Sequence, residues 1–379
     1  MRTAGRVGQR TGLSRGWINI MISLILFFFM LSVLIVVHEF GHFIMARKSG
    51  VRVEQFSLGF GPKLFKKKSG DTEYSVAAVP LGGFVKMAGD SLEEYSGKPD
   101  EYLAKGAGQR FNIIFFGPLL NYVLGFICFC LILFLGYPTL TTKVGGLVEG
   151  FGAEKAGIQV EDVITAIDGK KVQYFEELQR EIHSKKEAVQ VELTVLRVGQ
   201  EQKITVNIRQ KDVDDPLGQK RSVGLIGITP YDEVVIVKHG PIASIILGAQ
   251  KTWELTAMTY RGLWLMITGQ MNMKESMTGP LGIFYITSKA ARLGIVAVMH
   301  LMAVLSVSLA IFNLLPFPVL DGGHLLFLGL EKIRGRALSL KADRVVTQVG
   351  VSLIITLALF VTYNDIMRLF GDKITTFFK

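Results

Sequence analysis

His38, Glu39 and His42 form a His-Glu-x-x-His pattern at the end of a long apolar run. On a helix, residues four apart share one face, one turn above each other. Both imidazoles could therefore face a single metal ion, and two imidazole nitrogens suit zinc. Glu39 is turned by about 100° from His38 at ~3.6 residues per turn. That offset keeps its carboxylate out of the ligand set but within reach of a water activated there. A carboxylate so placed can act as general base. The plainer alternative is a polar cluster where a helix meets an interface. It has to explain two histidines and a carboxylate beside the uncharged residues 17–37. Polar groups at membrane depth are costly and mark function.

The elements that carry this pattern are apolar. The chain has 379 residues, 49% of them hydrophobic, and a formal charge of +10. Its mean hydropathy of +0.38 points to a membrane protein with a soluble part. Four stretches are long enough to span, since about 20 apolar residues cross the hydrocarbon. They are residues 17–37 (continuing helically through His42), 111–137, 293–320 and 345–364. A fifth stretch, 241–270, carries Lys251, Glu254 and Arg261. It reads as amphipathic helix on the surface or under the bundle, in contact with lipid. Residues 1–16 read as a flexible arginine-bearing tail, and Met21 is an alternative start. The apolar run leads directly into the metal pattern, which argues against a cleaved signal peptide.

Residues 51–88 alternate glycines with aromatics and read as a small membrane-associated β-sheet. Its strands are 55–62, 73–79 and 83–87, with Lys66-Lys67-Lys68 at a turn. Residues 90–108 read as loop. Residues 140–239 have balanced charge, short β-branched runs and one helical stretch at 174–182. They read as one β-rich soluble domain. Cys128 and Cys130 both lie inside an apolar run and read as core packing rather than a disulfide.

The positive residues cluster beside the spans, so they read as topology signals and imply no nucleic-acid partner. The loop 47–110 and the loop holding Lys332, Arg334, Arg336, Lys341 and Arg344 fall on one side of a four-span chain. The positive-inside bias makes that side cytoplasmic and puts 140–239 outside. Arg2, Arg6, Arg10 and Arg15 oppose this assignment, and a start at Met21 removes the conflict.

Two histidines leave zinc one protein ligand short, because catalytic sites use three plus water. His183, His239, His300 and His324 are the other histidines. The best acidic candidate is Asp321, in Asn313-Leu314-Leu315-Pro316-Phe317-Pro318-Val319-Leu320-Asp321-Gly322-Gly323. It closes the third span on the side where the first span ends at His42. The prolines free backbone groups that protein or water must satisfy. Asp321 as a helix-stop carboxylate and His324 as the ligand stay open as alternatives.

Taken together, HEFGH of 38–42, GFGP of 59–62, PLGGFVKMAGD of 80–90, FFGPLLN of 115–121, TGPLGI of 278–283 and NLLPFPVLDGGH of 313–324 resemble the site-2 protease family of intramembrane zinc metalloproteases, nearest its bacterial regulator-of-sigma-E branch. The resemblance runs from about residue 21 to the C-terminus. It implies Zn²⁺ on His38, His42 and Asp321, Glu39 as catalytic base, and Asn313 holding the substrate backbone. It implies regulated cleavage of a single-pass membrane protein, an anti-sigma factor being one class, in a bacterial inner membrane. Residues 152–157 (GAEKAG), Asp162-Val163-Ile164 and Ile167-Asp168-Gly169 resemble a PDZ domain, which would bind substrate or a regulator. Glu161 stands where that pattern has glycine, and Gly152 where it often has proline. Many members with this architecture carry two such domains, and this chain has room for one.

The expected fold is thus an α-helical membrane protein: four transmembrane helices, a small membrane-associated β-sheet and one inserted PDZ-like β-rich domain. Its parts are a tail (1–16), spans one and two with the zinc pattern (17–137), the PDZ-like domain (140–239), an amphipathic linker (241–292) and spans three and four (293–379). One rival function is an inert membrane-anchored PDZ scaffold, against which Glu39 and Asp321 speak. Another is a metal transporter, which predicts further ionisable residues deep in spans two and four, where the sequence has none.

Overall fold

A computed structural model describes residues 7–185, 189–215, 217–271, 277–335 and 340–377. Residues 1–6, part of the expected tail, and Arg336 of the basic loop lie outside the described residues. In chain order the first elements are α1 (Val7–Lys48), β1 (Val53–Ser69), β2 (Thr72–Met87), α2 (Ala107–Leu135), β3 (Tyr137–Leu140), β4 (Val144–Leu147), α3 (Gly152–Lys155), β5 (Val163–Ile167), β6 (Lys170–Lys171) and α4 (Phe175–Ser184). There follow β7 (Gln190–Arg197), β8 (Gln200–Asn207), β9 (Arg209–Asp214), β10 (Lys220–Leu225), β11 (Ile228–Pro230) and β12 (Val234–Val237). The last helices are α5 (Pro241–Ile267), α6 (Pro280–Leu293), α7 (Ile295–Asn313), α8 (Asp321–Arg334) and α9 (Leu340–Phe377).

The chain divides into two compact units. The first holds residues 1–132, 245–263 and 273–379. Among the described residues, four of its helical stretches are long and apolar enough to cross a membrane: Trp17–Lys48, Ala107–Leu135, Ile295–Asn313 and Arg344–Phe370. Three boundaries differ from expectation. Among the described residues α1 already runs from Val7, inside the stretch read as tail. α7 ends at Asn313 and not at 320, because Pro316 and Pro318 cannot continue a helix. The fourth helix runs past residue 364 and so takes in Asp365, which the expected span left out. Asp365 is wholly buried and accepts hydrogen bonds from the backbone N–H groups of Gly279 (3.2 Å) and Gly282 (2.8 Å) at the start of α6. The candidate span Arg344–Phe370 thus holds an ionisable residue that the shorter expected span lacked, and it is committed to capping a helix.

The small sheet is built from two long bent strands. Residues 55–58 of β1 pair on one side with 73–76 and on the other with 83–86, both from β2. Residues 63–69 then pair with the far side of 72–77. The Lys66-Lys67-Lys68 run is therefore strand, opposite Ser75, Tyr74 and Glu73, and not the expected turn. It forms an outer segment, where lysines are tolerated and discourage further pairing. Phe43 and Ala46 of α1, Val51, Val53 and Ile113 of α2 bury one side of this sheet against the helices.

The second unit comprises Leu133–Ser244 and Trp264–Asn272. A four-stranded antiparallel sheet of order β6-β5-β7-β8 is its largest part. Ladders of β3 with β12, β4 with β11 and β9 with β10 complete it. Alternating residues Val191, Leu193 and Val195 of β7 point into an apolar core with Ile164, Ile167, Leu178 and Val206. The helical stretch expected at 174–182 is α4, whose Leu178 and Ile182 face that core.

Candidate metal centre

α1 places His38 and His42 on one face, with ring centroids 4.8 Å apart. Their Nε2 atoms lie 3.2 Å from each other. Asp321 arrives from the first turn of α8, with Oδ2 3.2 Å from His38 Nε2 and Oδ1 3.5 Å from His42 Nε2. One ligand atom from each residue fits within a 4.8 Å cluster. Among the described residues no other group of this kind occurs. His324, the alternative third ligand, is exposed and stands outside the cluster. His300 stacks edge-on against Phe129 elsewhere in the first unit.

Close backbone packing brings these residues together. Gly117 of α2 faces His42 so tightly that a Cβ there would sit 2.3 Å from Nε2. On Asp321's side, a Cβ on Gly322 would meet Leu314 O at 2.2 Å and one on Gly323 would meet Phe317 O at 2.2 Å. The bend 314–320 can fold back onto α8 only because both residues lack side chains. Val319, just before the site, is held at φ 78°, a costly conformation for a β-branched residue. Arg110 of α2 grips Glu331 of α8 with two hydrogen bonds of 3.1 and 2.6 Å, which holds the helix that presents Asp321.

The donor set fits zinc. Two imidazoles and a carboxylate are its usual catalytic ligands. His42 Nδ1 lies 2.8 Å from the carbonyl of Ile113, so Nδ1–H donates there and leaves the Nε2 lone pair facing the cluster. Glu39 lies next on the helix and does not enter the cluster. Its side chain meets the outer strand segment: a Cβ on Gly83 would lie 3.3 Å from Glu39 Cγ. Asn313, at the end of α7, has Nδ2 3.5 Å from His38 Nε2.

Four residues at this site escape the sequence reading. Gly117 and Asn121 lie within FFGPLLN of 115–121, but only as family-like letters; nothing local says that they touch the histidines. The amide of Asn121, well inside an apolar span, was the available signal. Arg110 and Glu331 are 221 residues apart and carry no pattern at all.

The sequence profile of peptidase family M50 matches residues 26–357. The chain belongs to peptidase family M50, the site-2 proteases. A protein of Agrobacterium fabrum named as a candidate zinc metalloprotease is 35% identical over 363 residues, covering 91% of this chain and 96% of that one. The zinc metalloprotease RasP of Geobacillus kaustophilus is 30% identical, over 92% of this chain and 98% of its own length. The regulator of sigma-W protease RasP of Bacillus subtilis is 27% identical, over 93% and 100%. Among solved structures, the PDZ domain of an SdrC-like protein from Listeria innocua is 26% identical. It covers 24% of this chain and 96% of that domain, with a TM-score of 0.20. Membership makes this chain a membrane zinc metallopeptidase of the site-2 type, and zinc is its cofactor. As a family M50 enzyme it brings His38, His42 and Asp321 to one point from sequence positions 283 residues apart at their extremes (321 − 38).

A second concavity lies in the β-rich unit. A groove of ≈ 280 Å³ runs between α4 and residues 225–230, lined by Phe175, Leu178, Ile182, His183, Leu225 and Ile228. Burial and the nearby Arg221 charge both hold the His183 imidazole below its usual range, so it is mostly neutral at pH 7.

Proposed function

We propose that this protein is an intramembrane protease that cuts peptide bonds within or near the membrane span of a single-pass protein. The observation that carries this reading is the convergence of His38, His42 and Asp321 within 4.8 Å, on helices that carry candidate membrane spans or abut them. In this reading the three residues hold zinc and Glu39 is the catalytic base. Bound zinc supplies Lewis acidity, which makes water a nucleophile near neutral pH and polarises a carbonyl. Glu39 takes the proton of the attacking water and later passes it to the leaving amine nitrogen. Asn313 offers its amide to the substrate backbone beside His38.

A membrane helix satisfies its own backbone hydrogen bonds and resists attack until it unwinds. The segment 83–86 is an outer strand of the small sheet and adjoins Glu39. An unwound substrate segment adding to that edge would be extended next to the base. The β-rich unit serves as a PDZ-like domain covering about residues 140–239, on the extracytoplasmic side of a bacterial inner membrane. Its groove takes an extended end of the substrate or of a regulator. The sigma-factor role in the name of the Bacillus subtilis relative supports a membrane-anchored anti-sigma factor as substrate class and regulated proteolysis as the setting.

The test compares wild type with Glu39→Gln on one membrane substrate, with zinc content measured in each. Cleavage should drop about 10²–10⁴-fold, the worth of a general base, while zinc stays bound. Full cleavage by Glu39→Gln at normal zinc occupancy would remove this mechanism. No cleavage by wild type of any membrane substrate, with peptide binding intact, would favour an inert PDZ scaffold.

A further inference from the structure

We propose that Asn121 is a positioning residue for the metal centre, with its side-chain carbonyl accepting a hydrogen bond from Nδ1–H of His38. This rests on the reading of His38 as a zinc ligand through Nε2. The two histidines are supported differently. His42 has a backbone carbonyl, Ile113 O, at 2.8 Å from its Nδ1. Among the described residues, His38 has at its Nδ1 the amide of Asn121, with Nδ2 at 3.5 Å, and no backbone carbonyl.

Chemistry decides how that amide must lie. A neutral imidazole that offers the Nε2 lone pair to a metal carries its proton on Nδ1. An NH₂ group facing Nδ1–H would set donor against donor. In that same orientation Asn121 Oδ1 is buried without a hydrogen-bond partner among the described residues. A half-turn about Cβ–Cγ exchanges the two atoms at nearly constant shape. It converts the clash into an N–H···O bond and removes the orphaned acceptor. Asn121 is wholly buried, so water cannot take over the task. Its place on α2 is held independently, because Ser306 Oγ donates to its backbone carbonyl at 2.7 Å. The amide thereby does for His38 what the Ile113 carbonyl does for His42. Groups that support a metal-bound histidine in this way typically contribute 10–100-fold in metal affinity.

The experiment measures zinc affinity of the full chain in detergent by chelator competition, and the visible d–d bands after Co²⁺ loading. The variants are Asn121→Leu, Asn121→Asp and His38→Ala. Leucine has similar volume, suits a membrane helix and accepts no hydrogen bond. It should weaken zinc about 10–100-fold and shift the Co²⁺ bands. Aspartate keeps an acceptor at the same place and should stay near wild-type affinity. Wild-type affinity in Asn121→Leu would overturn the proposal. So would an Asn121→Asp protein that is folded by circular dichroism yet as weak as the leucine variant. If Asn121→Leu does not fold, the aspartate variant alone decides. Retention of zinc by His38→Ala would instead refute the ligand set, whereas its loss alongside normal Asn121→Leu would refute only the role of Asn121.

Discussion

The two units of this chain differ in how much polarity they bury and in what they turn outward. In the β-rich unit, Ile164, Leu193, Val195 and Val206 are wholly buried, as in any water-soluble core. In the helical unit the wholly buried residues include Asn121, Thr287, Ser306 and Asp365. Trp17, Ile25 and Phe29 of α1 are meanwhile more than half exposed. An outward apolar surface suits lipid, where helices gain nothing by hiding leucine and associate through close packing and polar contacts. Polar residues inside such a bundle are there for packing, capping or chemistry. The candidate metal centre occupies the unit that buries such polar groups among its apolar side chains.

That contrast predicts where small and large side chains are decisive. The largest effect should come from adding atoms to the helical unit. Gly117→Ala puts a Cβ where His42 Nε2 stands 2.3 Å away. Displacing a catalytic group by about 1 Å can cost 10²-fold in rate. Hydrolysis should fall by at least that factor, with zinc affinity falling in parallel, while the β-rich unit keeps its hydrogen-exchange protection. Normal zinc affinity in this variant would mean that α2 does not press on the site.

Removing atoms should matter most in the other unit. Leu193→Ala empties a wholly buried position in β7. Such truncations cost about 2–5 kcal/mol. Amides of β5, β7 and β8 should exchange correspondingly faster, and zinc content should not change. A fall in zinc would show that the two units fold as one.

What could be read from the sequence follows the same division. The shared face of His38 and His42, with Glu39 next along the helix, was legible because helical spacing is local and the carrier is strongly apolar. Asp321 was reachable through the proline-rich break beside it, although its distance from the histidines comes only from tertiary packing. Gly117, Asn121 and the Arg110–Glu331 pair were not, since each acts across helices and leaves no periodic trace. Among the described residues, four helices long and apolar enough to span recur where the sequence placed them; their ends differ, because helix ends answer to local stops such as Pro316 as well as to hydropathy. The bent sheet was harder still. Gly59 and Gly61, at φ 88° and 90°, turn β1 so that one strand serves twice, and turn letters alone do not tell a bend within a strand from the end of one.

A smaller effect should appear in the pH dependence of the β-rich unit. The side chain of Asp162 is 2% exposed. Burial pushes its carboxyl up, but hydrogen bonds from Arg197 (2.8 and 2.7 Å) and from the Gln159 N–H (2.8 Å), with the Arg197 charge, hold it below the usual carboxylate range. The folded pKa is below the unfolded one, so the stabilisation is complete above the unfolded value of about 3.9. It is lost as pH falls through the folded value. Asp162→Asn should cost about 1–3 kcal/mol at pH 7 and should flatten the acid side of this unit's stability profile. Equal acid sensitivity in wild type and variant would assign the effect to other carboxylates.

The smallest effect concerns the residue next to it. Glu161 stands where PDZ-like sequences carry glycine, and its φ is 75°. The left-handed region costs an L-residue about 1–2 kcal/mol, whereas glycine enters it freely at the expense of about 0.5–1 kcal/mol of chain entropy. The position is imposed by the ladder around it: Glu161 N donates to Val144 O at 2.8 Å, and Val144 N donates to Asp162 O at 2.8 Å. The glutamate side chain gains little in return. It is 65% exposed and reaches Lys143 only at 3.7 Å, an arrangement worth at most about 1 kcal/mol. Strain and entropy nearly balance, so Glu161→Gly should leave the β-rich unit between unchanged and about 1 kcal/mol more stable. The comparison is thermal unfolding of that unit in the full chain at low and high salt. A clear loss of stability at low salt that vanishes at high salt would mean that the Lys143 contact outweighs the backbone strain.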